Sequence, residues 1–221
     1  MDKLIYDEIK PGHDFYSLIK GSKIQRFWHE NKFKEINKKI TGKFLDVGCA
    51  SGAFFLFNKN GIGLDPSLKQ LKFAKKQFQK NNFINAKVEY LPFKNKTFDT
   101  IILVEVIEHI DKKYNKRILK ELKRVARKKI IITTPNYISL WPFIELIWSK
   151  INPIDYSKEH VNKFTILKAK KIFKGCKIKS IYIISPFAAI ISNKFANVLF
   201  KIEKKIFPFL GSILIIEIDL Q

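Results

Sequence analysis

Between Lys43 and Asn136 short apolar runs alternate with amphipathic segments, and that alternation restricts the fold more than any other feature of the chain. Apolar runs bounded by turn residues suit strands buried on both faces, and the amphipathic stretches between them suit crossover helices, so a parallel sheet is expected. Lys43–Val47 reads as a first strand that opens into the small-residue turn Gly48-Cys-Ala-Ser-Gly52. A helix is expected from Ala53 to about Asn60, then a second strand over Gly61–Asp65. Ser67 can cap the next helix, whose apolar positions Leu68, Leu71, Phe73, Ala74 and Phe78 recur at helical spacing. Lys87–Tyr90, Phe98–Val104 and Ile130–Thr134 read as strands three to five. A helix is expected over about Lys112–Arg127, its inner face made by Ile118, Leu122, Val125 and Ala126.

The flanks differ in texture. Residues 1–40 read as an N-terminal helical cap, with one or two amphipathic helices over Phe15–Ile40 carrying Arg26, Trp28 and His29. Residues 41–136 form the core, and residues 137–221 add an aromatic segment from Tyr137 to Trp148 with Pro142 suited to a first helical turn. A helix over Ile166–Lys174 ended by Gly175, a strand over Lys177–Ile184, a long apolar helix over Ala188–Phe207 and a last strand over Ser212–Asp219 follow. The 221 residues are expected to make one domain, since two would each be short of core.

Charge enters because it bears on partners. The chain carries 42 Lys and Arg against 20 Asp and Glu, yet only Arg26, Arg117, Arg124 and Arg127 are arginine. Readers of phosphate favour arginine for its planar fork, so a lysine excess is read first as a compositional bias and then as affinity for an anionic membrane or RNA. Ten Lys or Arg between Lys112 and Lys129 face the single Glu121, the pattern of a solvated helix face. Cys49 and Cys176 make neither a disulfide framework nor a metal-ligand spacing, which suits a reducing cytoplasm, and no metal ligand is assigned. No stretch reaches the ~18 apolar residues of a spanning helix.

The chemistry is read at the first turn. Gly48 and Gly52 allow the backbone to approach a ligand where a β-carbon would collide. Asp65 lies 17 residues beyond Gly48, about the offset at which an acid meets a ribose diol in dinucleotide folds. Ala50 and Ala53 stand where a dinucleotide fingerprint needs its second and third glycines. An adenosine cofactor without a pyrophosphate is therefore indicated.

Leu45-Asp-Val-Gly-Cys-Ala-Ser-Gly52 resembles the first motif of the class I S-adenosylmethionine-dependent methyltransferases, and Gly63-Leu-Asp65 the second. Glu89-Tyr-Leu-Pro-Phe93, Thr97-Phe-Asp99 and Glu105-Val-Ile-Glu-His109 are similar to the later blocks, in order and spacing. The resemblance implies a Rossmann-like three-layer α/β sandwich with a mostly parallel seven-stranded sheet and an antiparallel last strand. It implies that S-adenosylmethionine is bound and leaves as S-adenosylhomocysteine. By position, the Gly48, Cys49, Ala50 and Gly52 backbone would face the methionyl group with Asp46 near its amine. Asp65 would take the ribose hydroxyls, Leu64 and Pro66 would flank the adenine, and Val88 and Glu89 would meet its edge. Glu105 would lie near the sulfonium, and Arg26 falls in a segment that closes over the cofactor in this family.

Two positions depart from the pattern. Ala50 replaces a commoner glycine, and Lys87 stands where relatives carry an aspartate that accepts from the adenine amine; an ammonium cannot accept. His109 and His160 are the candidate bases, with capping or packing the alternative for His109 and a substrate-side loop the place expected for His160. Val104-Glu-Val-Ile-Glu108 lacks the (Asp/Asn)-Pro-Pro-(Tyr/Phe) of amino-directed nucleic-acid enzymes, and neither cysteine suits a C5 nucleophile. Thr133-Thr-Pro-Asn136 resembles the small-molecule and lipid-quinone branches. The expected substrate is thus a small, apolar or lipid-like metabolite methylated on O, N or C, by a cytoplasmic protein in peripheral contact with an anionic membrane or paired as a homodimer. An RNA methyltransferase, and a protein that binds the cofactor without turnover, are the alternatives.

Overall fold

Among the described residues seven strands form one sheet, in the order β3-β2-β1-β4-β5-β7-β6. They are β1 (Phe44–Val47), β2 (Gly61–Asp65), β3 (Asn82–Asn85), β4 (Phe98–Val104), β5 (Ala126–Pro135), β6 (Lys177–Ile181) and β7 (Ile213–Asp219). The pairs β1·β2, β1·β4 and β2·β3 are parallel, and β6·β7 is antiparallel, the Rossmann-like arrangement the resemblance implies. The computed structural model describes residues 10–151 and 159–220.

The chain divides into two units. The first comprises Met1–Val104, Lys116–Ile131 and Asp219–Gln221. Its helices are α1 (His13–Lys20), α2 (Lys23–Asn37), α3 (Leu68–Gln77) and α4 (Asn115–Val125), the last of which starts one residue before its second segment. Every residue of β1 is buried, with Phe44 paired to Gly61 on one side and Thr100 on the other. A strand flanked on both edges cannot face water, which is why its neighbour β4 reads as a continuous apolar run. Ser22 and Gln25 form a reciprocal capping box at the start of α2, so two helices arise where one or two were expected. Phe33 of α2 meets Phe54 and Phe57 edge-on, and Phe15 of α1 meets Phe73 and Phe78.

Two expectations fail here. The helix expected over Ala53–Asn60 is only a 3-10 turn, Ala53–Leu56. Ala53, Phe54 and Phe55 are all buried, and three successive inward side chains exceed the stripe that one helical face can bury. The third strand expected over Lys87–Tyr90 lies instead at Asn82–Asn85, with residues 87–90 in a turn closed by the Tyr90 amide on the Lys87 carbonyl. Two asparagines disguise that strand from propensity. Tertiary pairing decides it: Ile62–Asp65 runs opposite Asn82–Asn85, and the Asn85 side chain donates to the carbonyls of Asp65 and Pro66.

The turn after β3 is fastened by arginines. Arg124 of α4 grips both oxygens of Glu121 at 2.8 Å and donates to the carbonyls of Leu91 and Phe93. Arg117 lies 3.7 Å over the Tyr90 ring and donates to the Glu89 carbonyl. Ile118, Leu122 and Val125 are fully buried, so the inner face of α4 is the one expected, over a shorter helix that passes directly into β5.

The second unit comprises Glu105–Asn115 and Ile132–Ile218, with α5 (Trp141–Ile151), α6 (Ile166–Ile172), α7 (Ser185–Ala188) and α8 (Asn193–Ile206). The long helix expected over Ala188–Phe207 begins only at Asn193, after a separate short helix that ends at Ala188. Pro186 sits in the first turn of α7, and Ser192 caps α8 through the Phe195 amide. Glu203 of α8, buried, accepts from the amides of Ile183, Ile184 and Ser185 and from the Ser185 hydroxyl, which holds α7 against it. Among the described residues no helix is long and apolar enough to cross a membrane.

Candidate active site

In the first unit the glycine loop is built by alternation of backbone hand. Gly48, Ala50 and Gly52 have φ of 75°, 43° and 76°, so every second residue is left-handed. The amides of Gly48 and Cys49 both donate to the Leu64 carbonyl, which folds the loop onto the end of β2. Gly63 is needed for space: a β-carbon there would stand 2.7 Å from the Cys49 sulfur and 2.6 Å from the Phe83 ring. Ala50 is the strained member, since a β-carbon in the left-handed region costs about 1–2 kcal/mol.

Two carboxylates underlie that loop. Asp65 accepts from the Ala50 amide at 2.9 Å with one oxygen and from the Ser67 amide at 2.8 Å with the other. Loop, strand end and the start of α3 are thereby tied to one side chain. Asp46 is also buried, and its carboxyl is pushed up to about 8, first by that burial and then by the charge of Asp65. Burial likewise pushes the Cys49 thiol up, with Asp46 and Asp65 adding to it. The Cys49 thiol packs in the loop and is no nucleophile.

The other expected cofactor residues differ in exposure. Pro66 is half-buried beside the Asn85 side chain, and Leu64 is fully buried, which leaves Pro66 the more accessible member of that pair. Val88 is buried and Glu89 half-buried in the turn that Arg117 fastens, while Lys87 and Arg26 stand exposed.

The second unit contributes a different kind of site. Glu105 has φ of 55°, and its amide donates to the carbonyl and hydroxyl of Thr133, an acid held in strained backbone. Past it, a 3-10 turn over Ile107–His109 presents Glu108 and His109. The His109 and His160 rings lie 4.9 Å apart. His160 Nδ1 is 2.5 Å from a Glu145 carboxylate oxygen and 2.9 Å from the Tyr137 hydroxyl, which itself donates to that same oxygen at 2.7 Å. Burial holds the His160 pKa below the usual value against the pull of Glu145 and Glu105, and burial with Glu145 pushes the Tyr137 hydroxyl up. Sequence reasoning named both histidines but missed Glu145, Tyr137 and Asn162. The Glu-His pair at 108–109 was the available signal; Tyr137 and Glu145 belong to an aromatic segment that read as packing.

The family described as methyltransferase domain matches residues 45–132. The chain is 34% identical to the uncharacterized protein MJ0638 of Methanocaldococcus jannaschii, across 97% of this chain and 96% of that one. It is 25% identical to the demethylmenaquinone methyltransferase of Thermotoga maritima, across 57% and 56% of the two chains. A S-adenosylmethionine-dependent methyltransferase from Archaeoglobus fulgidus superposes with a TM-score of 0.63 at 21% identity, over 93% of this chain and 98% of that one. The chain belongs to the class I S-adenosylmethionine-dependent methyltransferases. It is an enzyme of that class, with S-adenosylmethionine as its cofactor. The residues present fit that molecule: Asp46 is buried beside the second acid Asp65, which with burial raises its affinity for a proton, and a pair of acids so placed is suited to ammonium and sulfonium charges.

Proposed function

We propose that the enzyme methylates O, N or C of a small apolar or lipid-like acceptor, working in the cytoplasm at the surface of an anionic membrane. The observation that carries this reading is α8. Phe195, Val198, Ile202 and Ile206 are exposed at steps of three and four, one stripe along the helix, while Ala196 and Phe200 on another face are buried. Lys194, Lys201 and Lys205 are exposed beside the stripe. An apolar stripe bordered by lysines suits a helix lying in the headgroup region of an anionic bilayer. The chain on either side adds exposed Ile190, Ile191, Phe209 and Leu210. The acceptor named for the Thermotoga relative, demethylmenaquinone, is of this chemical class.

On the cofactor side, Asp65 would take the ribose hydroxyls with the acceptor capacity left after its two backbone bonds. Asp46 and the Gly48–Gly52 backbone would meet the methionyl amine and Arg26 its carboxylate. Pro66, Val88 and Glu89 would bound the adenine, and Glu105 would stand toward the sulfonium. The donor carries its own leaving group, so most of the rate comes from holding acceptor and methyl in line, worth up to ~7–11 kcal/mol. Where the acceptor must lose a proton, His109 or His160 would take it.

RNA is disfavoured by the arginines. Arg124 and Arg117 are spent on the turn at 89–93 and Arg127 pairs with Asp99, which leaves the basic face of α4 to lysines. The test is transfer of labelled methyl from S-adenosylmethionine into organic-extractable or aqueous acceptors, with flotation on phosphatidylglycerol and phosphatidylcholine vesicles. Organic-phase label and binding to the anionic vesicles that Ile202→Glu weakens at least tenfold are expected. Label confined to RNA, or no label with tight cofactor binding, overturns the reading; dimers without vesicle binding would assign the stripe to a second copy.

A further inference from the structure

Within the second unit, three electron-pair donors converge. One ligand atom each from Glu108, His109 and His160 lies within 4.8 Å of the others. Glu108 is fully buried and His160 is 5% exposed, while His109 is half-buried and leaves the group an open side. A carboxylate and two imidazoles in such a space form a set that water does not screen.

The hydrogen bonds around the rings orient both imidazoles. His160 Nδ1 is bound to the Glu145 carboxylate, with the Tyr137 hydroxyl donating to the same oxygen. His109 Nδ1 is 3.3 Å from the Glu159 carbonyl. Each Nδ1 thus faces a hydrogen-bond acceptor, which fixes the orientation of both rings. A histidine whose far nitrogen is anchored by a carboxylate or carbonyl is the arrangement by which proteins aim an imidazole at a metal.

The backbone is pinned as well. Asn162, fully buried, donates its amide to the Glu108 carbonyl at 2.9 Å and its side-chain amide to the Ile107 carbonyl at 3.1 Å. It also takes part in bonds with Asn115 and Lys168, each at 2.9 Å. The segment bearing His160 is therefore stapled to the turn bearing Glu108 and His109, 51 positions apart in sequence.

We infer that Glu108, His109 and His160 form a site for one divalent transition-metal ion of the zinc, cobalt or manganese class. Two imidazoles and a carboxylate are the donor set that leaves a coordination position open. Bonds of about 2.0–2.1 Å require donors roughly 3.4 Å apart, so closure asks about an ångström of side-chain rotation. An oxygen of the acceptor is the ligand that open position would take. The ion would lower the pKa of a hydroxyl bound there and its proton would pass to solvent water, His109 and His160 then serving as ligands in place of the base role given above. Occupancy of the site does not depend on the acceptor proposed above.

The test strips the full-length enzyme with a chelator and titrates it with Co²⁺, reading visible d–d absorption and metal per chain. One Co²⁺ per chain is expected, displaced by Zn²⁺. Glu108→Gln and the partly exposed His109→Ala should each weaken binding at least tenfold with circular dichroism unchanged. Glu145→Gln, which leaves the three ligands in place, should weaken it about tenfold through the orientation of His160. Asp65→Ala should lose S-adenosylmethionine and keep Co²⁺, which separates this site from the cofactor assignment. No stoichiometric Co²⁺ on the folded wild type, or wild-type binding by His109→Ala and Glu108→Gln, overturns the inference.

Discussion

Asp46 and Glu203 are buried to almost the same degree, 3% and 4% exposed, and the two regions treat their acids in opposite ways. In the second unit Glu203 is surrounded by four donors from Ile183, Ile184 and Ser185, so its carboxyl oxygens are satisfied by the protein itself. In the first unit Asp46 sits beside Asp65 and is driven toward its neutral form. A buried acid supplied with donors is part of the scaffold; a buried acid set against another acid is a place prepared for a cation. The scaffold that fastens α7 to α8 thus spends an acid on rigidity, while the glycine loop keeps one in reserve for its ligand.

That comparison can be broken most sharply at Asp65. Asp65→Ala removes an acceptor of charge-assisted bonds, each worth ~1.5–3 kcal/mol, and should lower S-adenosylmethionine affinity at least a hundredfold in calorimetric titration. An unchanged affinity would show that the loop does not use its acids for the cofactor. Next in size, Glu203→Ala strands three amides and should lower unfolding stability by about 3 kcal/mol in urea, with cofactor affinity unmoved. A loss of affinity alone would reverse the roles assigned to the two acids.

The pH dependence sharpens the contrast. Asp46 has a folded pKa of about 8, above its unfolded value, so its neutral form stabilises the fold fully below about pH 4. That contribution falls as pH rises from there to about 8, by up to ~1.4 kcal/mol per pH unit for one proton. Asp46→Asn should flatten the slope in denaturant titrations between pH 5 and 8. In the wild type, cofactor binding at pH 7 should release a proton, seen as a buffer-dependent binding enthalpy. The smallest effect is at Ala50, where glycine should relieve left-handed strain and raise stability by up to about 1 kcal/mol, read as a higher melting temperature.

The loop and the cluster also differ in how far they can be read in advance. Gly48, Ala50, Gly52 and Asp65 lie on consecutive elements joined by short connections, and the space and backbone hand they need are local, so residue type announces them. Ser67 announced its cap in the same way. The third strand did not, because Asn82 and Asn85 pair through the edge of β2 rather than through their own propensity. The late start of α8 at the Ser192 cap was masked by the apolar composition of residues 188–191.

Sequence by itself determined the βα alternation, the acid-bearing glycine loop and the class of cofactor, because each depends on contacts between near neighbours and on patterns of period two or 3.6. Only tertiary structure decided which acids are neutral, which arginines are occupied, and that Glu108 and His109 meet His160 beside Tyr137 and Glu145. Burial and charge coupling are sums over residues distant in the chain, and folding alone brings their terms together.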